Sequence, residues 1–160
     1  MRPDPQARSV DTPADIEDAF ERSVYRTPRL LLVEDDETDV IFIERCLNRH
    51  GTDVPLTVAR DGREALQLLR EGNVERPYVI LTDLNMPGMS GHEMIDEIRS
   101  DMQLKHSVIF VLSSSRLTGD IQRAYENNVA GYLTKQVPAE QLSRNVGMVF
   151  DYCAAVHLPG

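Results

Sequence analysis

Five short runs rich in leucine and β-branched residues, near 29–33, 55–59, 78–82, 107–112 and 131–134, constrain this chain most, because they are apolar throughout rather than alternating. A strand that is apolar on both faces must be covered on both, and parallel sheets are built that way. The intervening segments carry apolar residues at helical spacing: Val40, Ile43 and Leu47; Ala65, Leu68 and Leu69; Met94, Ile95 and Ile98; Ile121, Ala124 and Tyr125; Leu142, Val146, Val149 and Cys153. Five strand and helix pairs in strict alternation predict a doubly wound α/β fold, a five-stranded parallel sheet with helices on both sides. In such sheets ligands bind beyond the carboxyl ends of the strands.

The first 28 residues hold four of the nine prolines, Pro3, Pro5, Pro13 and Pro28, and the composition changes at Arg29. The expected division is an N-terminal extension over 1–28 and one domain over 29–160. In the extension Thr12 can cap a helix with Pro13 at its first position and Asp15 reaching back, and Ile16, Phe20 and Val24 recur every four residues. The apolar stripe of that short helix needs a partner surface, either its own domain or a second copy of the chain.

A formal net charge of -9 repels phosphate backbones and anionic lipid, so neither nucleic acid nor a membrane surface is expected as a partner. The longest apolar runs, 30–33 and 108–112, are far too short to cross a bilayer, and a cytoplasmic protein is expected. Cys46 and Cys153 have neither disulfide-framework nor metal spacing and read as buried reduced thiols. His50, His92, His106 and His157 show no ligand spacing.

The chemistry gathers at the strand ends. The first strand stops at Glu34-Asp35-Asp36, the third at Thr82-Asp83, the fourth at Ser113-Ser114-Ser115 and the fifth at Lys135. Taken alone, the three acids read equally well as solvated loop residues, and Asp36 fits the cap of the first long helix. Together with Asp83 and Lys135 they form an oxygen-rich rim suited to a hard divalent cation such as Mg²⁺, with Asp35 and Asp83 the leading ligands. Such a cation lets anionic Asp83 approach an anionic phosphoryl donor as nucleophile, Lys135 adds a second positive charge, and the Ser113 hydroxyl can bond a phosphoryl oxygen.

Four motifs in order carry a resemblance: Leu31-Leu32-Val33-Glu34-Asp35-Asp36; Leu81-Thr82-Asp83-Leu84-Asn85-Met86-Pro87-Gly88-Met89-Ser90-Gly91; Val111-Leu112-Ser113-Ser114; and Gly131-Tyr132-Leu133-Thr134-Lys135. Over about residues 29–152 the chain resembles a single receiver domain of bacterial two-component response regulators, a CheY-like, flavodoxin-like (βα)5 fold. The resemblance implies Asp83 as phosphoacceptor, Glu34 and Asp35 as the acidic pair and Asn85 lending its backbone carbonyl to the metal. It implies Ser113 as the switch hydroxyl, Tyr132 as the aromatic that follows it, and Lys135 as the lysine of the site. A sensor histidine kinase would be the donor, and single receivers with an N-terminal arm and an apolar last helix are similar to those paired with bacterial phytochrome kinases. Pro87-Gly88 reads as a turn, with Gly91 letting the chain leave the site loop for the third helix.

Two departures from the family pattern stand out. Lys135 is followed by Gln136-Val137-Pro138 rather than directly by proline, and a non-proline bond strongly prefers trans, so a differently shaped loop is expected. Glu34 replaces the commoner Asp, and with its longer side chain it is expected to reach a metal only through water. Phe42, opposite the Val40/Ile43/Leu47 face, is expected to dock the kinase. Met148 and Tyr152, with Ala155, form a second stripe on the last helix, which predicts a homodimer through the last two helices and last strand. The chain ends eight residues after Tyr152, so output through another protein is expected. Rival readings are a haloacid-dehalogenase-type phosphohydrolase, which has an acid where Asn85 stands, and a pseudo-receiver, which would lack one of Asp35, Asp83, Ser113 and Lys135.

Overall fold

All five expected strands form in the computed structural model, which describes residues 13, 14, 27–51 and 53–159. They are β1 (Arg29–Val33), β2 (Leu56–Ala59), β3 (Tyr78–Thr82), β4 (Val108–Ser113) and β5 (Gly131–Thr134), and they join one parallel sheet in the order β2-β1-β3-β4-β5. The helices between and after them are α1 (Glu37–His50), α2 (Gly62–Arg70), α3 (Gly91–Ser100), α4 (Thr118–Glu126) and α5 (Ala139–Ala155). Apart from Pro13 and Ala14, the expected helix of the N-terminal extension lies outside the described residues.

Period two divides each strand between two apolar clusters. Leu31 and Val33 pack with Ile80, Ile109 and Val111 against α2, α3 and α4. Leu30 and Leu32 pack with Val79, Leu81, Phe110 and Leu112 against α1 and α5. Most of these side chains have no exposed surface, and fully burying one stabilises the fold by roughly 2 kcal/mol. This is the physical reason the strands read as unbroken apolar runs.

Local signals start the helices. The Asp36 carboxylate accepts from the Thr38 and Asp39 amides to open α1, and Gly51, at φ +68°, closes it. Ser90 and Glu93 form a reciprocal capping box at α3. Leu117 gives α4 no side-chain cap. Among the described residues no helix is long and apolar enough to cross a membrane.

Three helix faces differ from expectation. On α2 the buried stripe is Gly62, Ala65, Leu66 and Leu69, so Leu68 lies on its flank. A Cβ on Gly62 would stand 2.8 Å from that of Met94, and this close approach to α3 sets the rotation of α2. On α4 only Ala124 is buried, and Tyr125 is 51% exposed because the helix covers the margin of the sheet. On α5 the stripe is Val146, Val149, Phe150 and Cys153, with Phe150 an unforeseen core residue and Leu142 only partly buried.

Candidate functional site

β1 and β3 are neighbours, and their ends bring the acids together. The Glu34 amide extends the ladder to the Ala59 carbonyl, and the Asp83 amide donates to the Val33 carbonyl. Strand alternation then turns Glu34 inward, where it is buried, and leaves Asp35 exposed. Carboxylate oxygens of Glu34, Asp35 and Asp83 lie within 4.8 Å of one another.

The Asp83 carboxylate is held on both oxygens. Oδ1 accepts from the Leu84 amide at 2.6 Å and from the Asn85 amide at 3.3 Å, and Oδ2 accepts from Lys135 Nζ at 2.9 Å. The loop that supplies those amides turns at Gly88, φ +73°, and returns to α3 through Gly91, whose amide donates to the Leu84 carbonyl. A Cβ on Gly91 would stand against the Asp83 carbonyl and 2.8 Å from Leu84 Cα. Close backbone approach, rather than turn geometry, is therefore what requires glycine here.

Lys135 reaches this rim because its amide continues β5 pairing to the Ser113 carbonyl. Its ammonium donates to Glu34 Oε2 at 2.6 Å, Asp39 Oδ2 at 2.7 Å and Asp83 Oδ2 at 2.9 Å. Burial alone would depress the Lys135 pKa, but the bonds to Asp39, Glu34 and Asp83 overcome it and hold the ammonium above the ordinary lysine range. Glu34 behaves oppositely: burial pushes its carboxyl up, and bonds from Lys135 and the Asp36 amide only partly offset this. The difference has one cause, since Lys135 faces three carboxyl groups while Glu34 faces a single ammonium.

Sequence reasoning missed Asp39. The signal was present: once Asp36 caps α1, Asp39 falls in its first turn and on the same rim. With Asp39 included, the rim holds four carboxyl groups and one ammonium, which bonds three of them, and that excess of hard oxygen fits a divalent cation. Glu34 and Asp83 each have both oxygens engaged by protein donors, so a cation would share their remaining lone pairs, with the exposed Asp35 carboxylate as a further donor.

Ser113 ends β4 fully buried, and its Oγ accepts from the Ser115 amide at 3.2 Å. The Tyr132 hydroxyl donates to the Ser115 carbonyl at 2.9 Å, which lays the ring against the β4–α4 loop, and burial raises its phenol pKa. After Lys135 the chain continues through a trans bond, the one cis peptide among the described residues being Arg76-Pro77. Gln136 donates its amide to Thr134 Oγ1, and Pro138 precedes α5.

The three residues expected to meet partners lie away from this rim. Phe42 does not stand opposite the α1 core face: it is half-buried against the α1/α5 cluster and lines a groove of about 310 Å³ with Ala139, Ser143 and Arg144. Met148 is 52% exposed, whereas Tyr152 is half-buried with its ring edge-on to Phe110 at 5.2 Å. Both differences follow from α5, which passes close enough to cover one side of Phe42 and turns Tyr152 toward the sheet.

Known proteins are similar to this chain in sequence and fold. The family described as the response regulator receiver domain matches residues 30–147. The probable methanogenesis regulatory protein FilR2 of Methanothrix harundinacea is 35% identical over 126 residues, 77% of this chain and 81% of that one. Response regulator Rcp1 of Synechocystis sp. is 34% identical over 135 residues, 81% of this chain and 92% of its own. The solved Mn(2+)-bound form of Rcp1 matches with a TM-score of 0.74 at 33% identity, covering 83% and 99%. The phosphorylated cyanobacterial phytochrome response regulator RcpA matches with a TM-score of 0.77 at 34% identity, covering 84% of this chain and all of that one.

Proposed function

The chain belongs to the response regulator receiver family, which serves phosphorelay signalling, and from that premise we propose that Asp83 is its phosphoacceptor, loaded in the cytoplasm by a sensor histidine kinase. The observation that carries this reading is the 2.9 Å contact of Lys135 Nζ with Asp83 Oδ2, beside an Oδ1 already held by two backbone amides. In the transfer an Asp83 oxygen bonds to phosphorus as the phosphorus–nitrogen bond of the donor breaks, and the electron pair leaves with the imidazole. Lys135 follows the incoming phosphoryl oxygens, the Ser113 hydroxyl donates to one of them, and Tyr132 moves with Ser113. Asp35 and Asp83, with the Asn85 carbonyl and with Glu34 through water, would hold Mg²⁺, which supplies charge neutralisation between carboxylate and phosphoryl group. Catalysis is confined to loading and unloading this one carboxylate.

A phytochrome-type kinase is the proposed donor, supported by the likeness to RcpA and Rcp1 over more than four-fifths of the chain. Output runs through another protein that recognises the surface around α4. A homodimer through α4, β5 and α5 is supported by Leu117, Tyr125 and Met148, exposed at 69%, 51% and 52%. Met148→Lys is expected to convert a concentration-dependent dimer to monomer in sedimentation velocity, and a wild type that stays monomeric at all concentrations removes the dimer.

Incubation with Mg²⁺ and acetyl phosphate tests the central reading. Here a phosphorus–oxygen bond breaks and acetate leaves. Intact mass is expected to rise by one phosphoryl group, transiently, and not at all in Asp83→Asn or after chelation of the cation. Multiple turnover of a phosphate ester would instead mean a hydrolase, and an unmodified wild type an interaction module that is not phosphorylated.

A further inference from the structure

The β4–α4 loop holds a set of hydrogen bonds that the transfer chemistry does not use, and Ser115 is at its centre. Its amide donates to Ser113 Oγ at 3.2 Å and its carbonyl accepts from Tyr132 at 2.9 Å. Its hydroxyl donates to Asp120 Oδ2 at 2.5 Å and accepts from the Leu117 amide at 3.3 Å. Asp120 stands in the first turn of α4, and its other oxygen lies 3.3 Å from Nε2 of His92 on α3. His92 is buried and its Nδ1 has no hydrogen-bond partner, so among the described residues Asp120 alone gives the ring a polar contact.

Little else fixes this end of α4, which has no side-chain cap at Leu117 and only Ala124 buried. We propose that Asp120, held by His92, is a positioning residue for the switch: it pins Ser115, and through the Ser115 amide the Ser113 hydroxyl, in the arrangement adopted without a phosphoryl group. The inference rests on the reading of Asp83 as phosphoacceptor. Drawing Ser113 toward a phosphoryl group pulls on the Ser115 amide, and Ser115 can follow only by releasing Asp120 or by dragging the first turn of α4 with it. Phosphorylation at the strand ends and displacement of α4 are thereby one event. A hydrogen bond to a charged oxygen is of the strong kind, and its loss shifts a two-state equilibrium by about tenfold.

The test measures amide chemical shifts of the full chain, with beryllofluoride and Mg²⁺ as the phosphoryl mimic, in wild type, D120A, S115A, the double variant and D120N. Under fast exchange, the position of each β4–α4 loop resonance between its free and mimic-bound limits reads the population of the switched form. D120A without mimic is expected to move toward the bound limit by about tenfold in that ratio, and S115A likewise. The double variant should move no further than either single one, because both cut the same link. D120N keeps an oxygen for Ser115 and should restore most of the wild-type position. D120A resonances that coincide with wild type, or additive shifts in the double variant, overturn the proposal. A wild type indifferent to beryllofluoride overturns the phosphoacceptor reading and this inference with it, a result distinct from a responsive wild type with an unaltered D120A.

Discussion

Glu34 lies at the end of β1 with its side chain 2% exposed, one oxygen on Lys135 and the other on the Asp36 amide. Burial holds its carboxyl above the ordinary value of 4.5, so in a window above 4.5 the folded chain binds more protons than the unfolded one. The Glu34 contribution to stability therefore falls as pH rises through that window, against the rise from the carboxyls held low, Asp36, Glu93, Asp101 and Asp120. Urea midpoints measured upward from pH 4.5 in metal-free buffer are expected to climb more steeply in Glu34→Gln than in wild type; equal slopes in the two proteins would clear Glu34 of the effect. Lys135 has the same sign at the alkaline end: its contribution is fully present below the ordinary 10.5 and is lost as pH rises through the elevated folded value. The residue type and strand-end position of Glu34, Asp83 and Lys135 were legible in the chain. That Glu34 would grip Lys135, and that Asp39 would join it, was not, because both depend on which strand ends lie side by side.

Among the elements, α3 shows how tightly helix and site are joined. Gly91 begins the helix where its Cα faces Leu84 Cα and the Asp83 carbonyl, with no room for a methyl group. Gly91→Ala is expected to cost about 1 to 3 kcal/mol in urea denaturation, as overpacking does, and to slow loading of Asp83 by acetyl phosphate because the displaced loop carries the Leu84 and Asn85 amides. Unchanged stability together with unchanged loading would sink this account. The strands were readable to within one residue at each end, since the near-continuous burial of β1, β3 and β4 leaves a continuous apolar record and the partly buried edge strands β2 and β5 keep a weaker one. Helix faces were less so. A shift of one position turns a helix by about 100°, and the choice of Leu66 over Leu68 was made by the contact of Gly62 with Met94.

On the scale of the molecule, the sheet separates two apolar clusters, and both cysteines belong to the one beneath α1 and α5. Cys46 and Cys153 are each 4% exposed, and burial pushes the Cys153 thiol up to about 11. Thiolate is the reactive form, so at neutral pH a disulfide reagent is expected to modify Cys153 only on global unfolding, with a protection that tracks stability in urea. Fast reaction of Cys153 in the native chain would show that α5 opens by itself. The order of apolar runs and helical stripes was enough to establish the parallel α/β fold and the strand-end rim where Glu34, Asp83 and Lys135 meet, because burial on two faces and polar residues at strand ends both leave one-dimensional patterns. The strand order β2-β1-β3-β4-β5 decided the rest. It sets Glu34, Asp39 and Asp83 around Lys135 and ties Ser113 to α4 through Ser115 and Asp120, and such contacts between distant positions have no period for a sequence to display.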